Sequence, residues 1–363
     1  MINRLFVAFR QFGFGNQRTV PSLDGLRAIS IAFVLFCHLC GTRHFPGQIS
    51  FFTLRFGEFG VRVFFVISGY LITSILLAEL WSKGTISLAR FYFRRTLRLF
   101  PACYFFILVV AILAMKEFVT LEPWDLTHAI TYTMNFHDAR AWSLGHLWSL
   151  AVEEQFYLLW PLALLSLGPA RAVRFLVALL VAAPFLRLAS PYVGPAFNFA
   201  IWSDALATGC LLAILRGKLI ANRHYACLLA SRWFFLVPVA ALVANLVPFT
   251  KIYWLVSETV MNLAIAASAD WAMRKPAAVI GRFLNLPVVS LVGALSYSLY
   301  LWQQIFLDHS SSSRYTAFPL NIILAGSMAL VSYFLIESPF LRLRSAIERY
   351  RLKRQPIGER AAI

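Results

Sequence analysis

The chain has 363 residues, of which 60% are hydrophobic and only 13% charged, with 33 phenylalanines. A soluble domain carries about a quarter charged residues, so a water-soluble globule is excluded, and the apolar residues arrive in runs long enough to cross a bilayer. The formal charge of +17 does not mark a nucleic-acid binder, because Lys and Arg sit in short clusters between apolar runs rather than together on one face.

Read from the amino terminus, Arg4, Arg10 and Arg18 lead into a first apolar run that has no small-residue cleavage site near its end. The segment 1–21 therefore reads as a retained cytoplasmic segment rather than a signal peptide. Ten apolar stretches follow, at about 22–41, 59–79, 99–117, 147–168, 172–190, 197–215, 233–250, 252–270, 287–307 and 319–341. Each is long enough, or nearly so, to cross about 30 Å of hydrocarbon at 1.5 Å per residue. The basic residues orient this layout. With the amino terminus inside, 24 of the 33 Lys and Arg residues fall on the cytoplasmic side, eight fall outside, and Arg27 lies within a helix. The predicted fold class is an all-α integral membrane protein of about ten transmembrane helices with both termini cytoplasmic. It comprises one membrane domain at 22–341 and a basic tail at 342–363, expected to be helical at the membrane surface. Cys37 and Cys40 have CxxC spacing, but no second pair completes a zinc site, so all five cysteines read as small packing residues.

Ionisable groups inside a bilayer are costly, about 2.5–3.5 kcal/mol each on insertion scales, and their default reading is functional. The first helix holds Arg27 and His38. Eleven residues make three turns plus about 20°, so the two share a face, about 16 Å apart along the axis. The bland alternative is a snorkelling Arg and a hydrogen-bonded core His. In the run FYFRRTLRLFP, Arg90, Arg94 and Arg98 form one helical stripe with Arg95 beside it. Guanidinium forks suit a multiply charged phosphate ligand, although such a stripe also anchors helices to anionic headgroups. The run GHLWSLAVEEQFYLLWP places Glu153 and Glu154 two turns into an incoming helix, and His146 and Glu153 share a face. A carboxylate at that depth is expected to orient and polarise His38. Further intramembrane polar groups are Arg62, Asp204, Glu258, Tyr297, Tyr300 and Glu337, with structural pairing favoured for Glu258. Ser68 and Gly69 permit close helix approach.

In chain order, SLDGLRAISIAFVLFCH, GVRVFFVISGYLIT, FYFRRTLRLFP, HLWSLAVEEQFYLLWP, SDALATGCLLA, LSYSLYLW and a terminal ESPF cover Ser22 to Phe340. Together they make the chain resemble the membrane acyltransferase-3 family. Its members O-acylate sugars of lipopolysaccharides, exopolysaccharides and Nod factors, or macrolides. The resemblance implies ten core helices, a bacterial inner-membrane location and a cytoplasmic acyl-CoA donor with no bound cofactor. It also casts Arg27 and His38 as essential and gives Arg94, Arg95 and Arg98 to the donor. Two positions depart from the pattern: Gln303 stands where His usually follows Trp, and Trp202 stands where an Arg is expected two residues before Asp204. Some relatives carry a fused extracytoplasmic hydrolase-like domain, and no soluble domain is recognised in this sequence.

The expected chemistry is transfer of an acyl group, most simply acetyl, from acyl-CoA to a hydroxyl of a glycan or lipid-linked sugar. Arg27 with Arg90, Arg94, Arg95 and Arg98 is expected to hold the CoA phosphates, with the pantetheine arm threading along the Arg27–His38 face. His38, oriented by Glu153 or Glu154, then serves as general base. A thioester needs no metal for this, and no metal-ligand spacing is present. The rival reading is a secondary transporter of an anionic solute, with Arg27, Arg62 and Glu153 lining its path.

Overall fold

The computed structural model describes residues 20–193, 198–246 and 251–354, and every described element is helical. The expectations for Arg4, Arg10 and Arg18, and for the tail past residue 354, fall outside these residues. The longer helices are α1 (Leu23–Leu39), α2 (Phe51–Lys83), α3 (Leu88–Met115) and α4 (Leu147–Val193). They continue with α5 (Asn198–Ala221), α6 (Leu236–Leu246) and α7 (Lys251–Arg274), then α8 (Pro287–Ala294), α9 (Ser296–Phe306), α10 (Leu320–Ser332) and α11 (Ser338–Arg354).

Among the described residues, five helical stretches are long and apolar enough to cross a membrane: Phe51–Lys83, Leu88–Met115, Trp142–Ala189, Phe199–Ala221 and Leu320–Tyr350. A sixth arises if Arg223–Ala230 and Arg232–Leu246, bent by 76°, form one span. This is fewer than the ten expected, and local features account for the difference. Helix α1 is only 17 residues long. The stretches at 147–168 and 172–190 run together in α4, divided only by Gly168 at φ 70° and ψ 164°, a conformation open to glycine. The stretch at 287–307 is split into α8 and α9, and α7 contains Glu258 and Asp270.

Helix α2 is the central strut, packed on α1 and α5. It starts at a capping box in which Ser50 and Thr53 bond each other's backbone N–H, and it stops at Gly84 in the left-handed region. Its 33 residues span about 50 Å, enough to project beyond the hydrocarbon. Gly69 and Gly209 bring α2 against α5: a Cβ on Gly69 would lie 2.0 Å from the Leu206 carbonyl, and one on Gly209 2.0 Å from that of Val66. Close backbone approach through small residues is how helices gain packing where lipid tails are as apolar as leucine.

Closely packed helices also bury an ion cluster. Arg62 of α2 bonds Glu258 of α7 and lies 3.5 Å from Asp204 of α5. Arg187 of α4 bonds Asp204 and approaches Glu258 at 3.0 Å. The Arg62 guanidinium lies over the ring of Trp202 at 4.5 Å, so the residue standing where an Arg was expected cradles another Arg. Two cations and two anions tie four helices together.

Candidate active site

A cavity of about 600 Å³ lies among α1, α2, α3, α4, α9 and α11. Its basic part is lined by Arg27 of α1, Arg94, Arg95 and Arg98 of α3, and Arg344 and Arg349 of α11. Successive turns of α3 present three of these guanidiniums because they recur at three- and four-residue spacing. Arg27 lies 3.9 Å from Asp24, and Arg94 bonds Glu348 at 2.5 Å. Arg95 sits over the ring of Tyr157 at 4.3 Å. Arg98 and Arg344 have no carboxylate within 4 Å among the described residues. Cations therefore outnumber anions in a confined space, which favours a ligand bearing several negative charges.

Arg90 departs from the expected stripe. It does not line the cavity and lies 3.9 Å from Glu79 of α2. Each four-residue step rotates the side chain by about 40°, and at Arg90 the nearest charged partner is the Glu79 carboxylate. The helix that opens the tail packs against α3 and lends Arg344, Ser345, Glu348 and Arg349 to the cavity.

The two glutamates separate. Glu153 lines the cavity and accepts hydrogen bonds from the hydroxyls of Ser68 and Tyr157. Glu154, one residue on and about 100° around the helix, is outside the lining, and its Oε1 is buried without a hydrogen-bond partner. Glu337 accepts a bond from Ser298 and lies within electrostatic reach of Arg98 and Arg27.

His38 lies beyond the cavity lining, and neither glutamate orients it. Its Nδ1 is 2.6 Å from Oε1 of Gln303 on α9. A carbonyl oxygen only accepts, so Nδ1 carries the proton and Nε2 keeps its lone pair. The ring meets Trp142 edge-on at 5.2 Å, and the Trp142 indole N–H donates to the Gln304 carbonyl at 2.8 Å. Gln304 holds His146 in the same way, Nδ1 to Oε1 at 2.7 Å. Tyr300 and Ser149 join this end to the cavity. Both line it, their hydroxyls are 2.5 Å apart, and Tyr300 donates to the His146 carbonyl at 3.0 Å. Sequence reasoning assigned no role to Gln304 and none to Gln303 beyond a departure from pattern. Two adjacent amides inside an apolar stretch were the available signal, since a buried amide requires partners.

The molecule is thus an all-helical assembly with a cationic chamber, and with a histidine bonded to an amide beyond the lining. The chain belongs to the acyltransferase-3 family: residues 20–337 match its acyltransferase domain. Among characterised proteins it is similar to O-acetyltransferase OatA of Staphylococcus aureus strain NCTC 8325, at 28% identity over 360 residues, covering 89% of this chain and 57% of the relative. It is also similar to peptidoglycan O-acetyltransferase OatA of Listeria monocytogenes serovar 1/2a, at 29% over 324 residues, covering 79% and 49%. The chain thus spans about half the length of these relatives. No solved structure matches it.

Proposed function

We propose that the protein is a membrane O-acetyltransferase that moves an acetyl group from acetyl-CoA to a hydroxyl of a cell-envelope polysaccharide. The observation that carries this reading is the cavity, with unpaired guanidiniums in one part and Phe64, Ser149 and Tyr300 in its wall, Tyr300 bonded to the His146 carbonyl. Arg27, Arg94, Arg95 and Arg98 bind the CoA phosphates, and the pantetheine arm follows the apolar side chains of Val61 and Phe64. His38 Nε2 takes the proton of the acceptor hydroxyl while that oxygen attacks the thioester carbon. The C–S bond breaks, and the CoA sulfur leaves with the electron pair and takes the proton that His38 Nε2 removed from the hydroxyl. Gln303 holds Nδ1–H so that Nε2 is the basic nitrogen. Glu153, fixed by Ser68 and Tyr157, is the cavity-facing carboxylate and adds polarity along the route. Glu154 has no part in this scheme. The polysaccharide acceptor is supported by the Listeria relative, whose name prints peptidoglycan.

This reading includes the ten-crossing layout. A domain at 22–341 with both termini in the cytoplasm sets the arginines on the side where CoA is found and His38 toward the outer side. The transporter alternative loses support because Arg62, one of its three path residues, lies in the balanced ion cluster and outside the cavity. The decisive experiment is transfer of labelled acetyl from acetyl-CoA to envelope polysaccharide in membranes carrying the protein. His38→Ala is expected to lower the rate by about 10²–10⁴-fold. A rate near that of the wild type would overturn the assignment.

A further inference from the structure

Helix α11, Ser338–Arg354, lies beyond the residues that match the acyltransferase domain, which end at 337. It nevertheless contributes to the cavity through Arg344, Ser345, Glu348 and Arg349. Arg344 is 8% exposed, and its Nε has no hydrogen-bond partner. A buried N–H without an acceptor is costly. Glu348, one turn further on, acts on Arg344 as an opposite charge, while Arg94 and Arg95 act on it as like charges. The same helix carries Glu348, which takes the Nε of Arg94 at 2.5 Å. One turn of α11 therefore offers a vacant cation to the cavity while its next turn occupies one of the cations of α3.

We propose that α11 completes the phosphate-binding chamber, with Arg344 as a direct ligand of phosphate oxygens and Glu348 as an internal competitor that holds Arg94 until phosphate displaces it. This rests on the acyl-CoA reading above and extends the donor site to a segment outside the matched domain. A phosphate in this chamber makes charge-assisted, forked hydrogen bonds to Arg344 and Arg98 that no group among the described residues makes. Its arrival exchanges the Glu348–Arg94 pair for a phosphate–Arg94 pair. The two residues on one helix consequently have opposite effects on binding.

The test measures coenzyme A binding to the purified full chain in nanodiscs of phosphatidylcholine, with melting temperature followed for each variant. Arg344→Gln is expected to raise the Kd about tenfold, the loss of one charge-assisted contact, and Arg344→Lys to recover part of it. Glu348→Gln is expected to lower the Kd about threefold, which a purely structural Glu348–Arg94 pair would not do. An unchanged Kd in Arg344→Gln, or a raised one in Glu348→Gln, overturns the proposal. Absence of coenzyme A binding by the wild type would instead overturn the donor reading itself. In that event, binding of phosphatidylglycerol vesicles that requires Arg344 would assign the phosphate to a lipid headgroup and remove Arg344 from the donor site.

Discussion

The protein buries arginines in two places, and the two are built on opposite principles. In the cluster of Arg62, Arg187, Asp204 and Glu258, each guanidinium faces carboxylates, and charges cancel within a sealed space. In the chamber of Arg27, Arg94, Arg95, Arg98 and Arg344, cations outnumber the lining carboxylates Asp24, Glu153 and Glu348. A balanced cluster satisfies itself and needs no visitor. An unbalanced one stores an affinity for anions, because each unpaired guanidinium gains more from a phosphate than from the polar wall around it. Burial of charge alone, therefore, does not distinguish scaffold from site; the local sum of charges does.

Single substitutions can break this contrast. The largest stability effect is expected at the balanced cluster. Arg187→Met leaves Asp204 and Glu258 with one cation fewer, and removing one partner of a buried pair costs about 3–5 kcal/mol. Thermal unfolding in detergent should show a pronounced loss, and an unchanged midpoint would show the cluster is dispensable. The chamber should respond in the reverse sense. Arg98→Gln is expected to leave unfolding unchanged or slightly improved, since it relieves like-charge repulsion, while weakening coenzyme A binding by about ten- to a hundredfold. A loss of stability without loss of affinity would place Arg98 with the scaffold instead.

Smaller effects sharpen the comparison. Trp202→Leu removes the ring beneath Arg62 and is expected to cost about 1–2 kcal/mol in unfolding, with coenzyme A affinity unaltered. Arg90→Gln should do least, because Arg90 faces Glu79 at 3.9 Å and is outside the cavity. Coenzyme A affinity within twofold of wild type is the expected result. A tenfold loss would return Arg90 to the donor stripe.

Much of this molecule was legible in the order of its residues, and the reason is that partition into a bilayer is nearly additive along a segment. Composition and apolar runs were enough for a helical membrane protein, and the motif order from Ser22 to Phe340 for its family. The spacing of Arg94 and Arg98 likewise placed both on one wall. Partnership across the fold obeys no such local rule. His38 meets Gln303, 265 positions away, rather than the glutamates that matched its depth. Glu153 and Glu154 are neighbours in the chain, yet only one faces the cavity. Arg344 looked like one more basic residue of a surface tail until α11 folded against α3. A side chain's depth and its face of the helix follow from local periodicity, whereas the atom it touches depends on how neighbouring helices rotate and pack, and that is decided by close contacts such as Gly69 against Leu206.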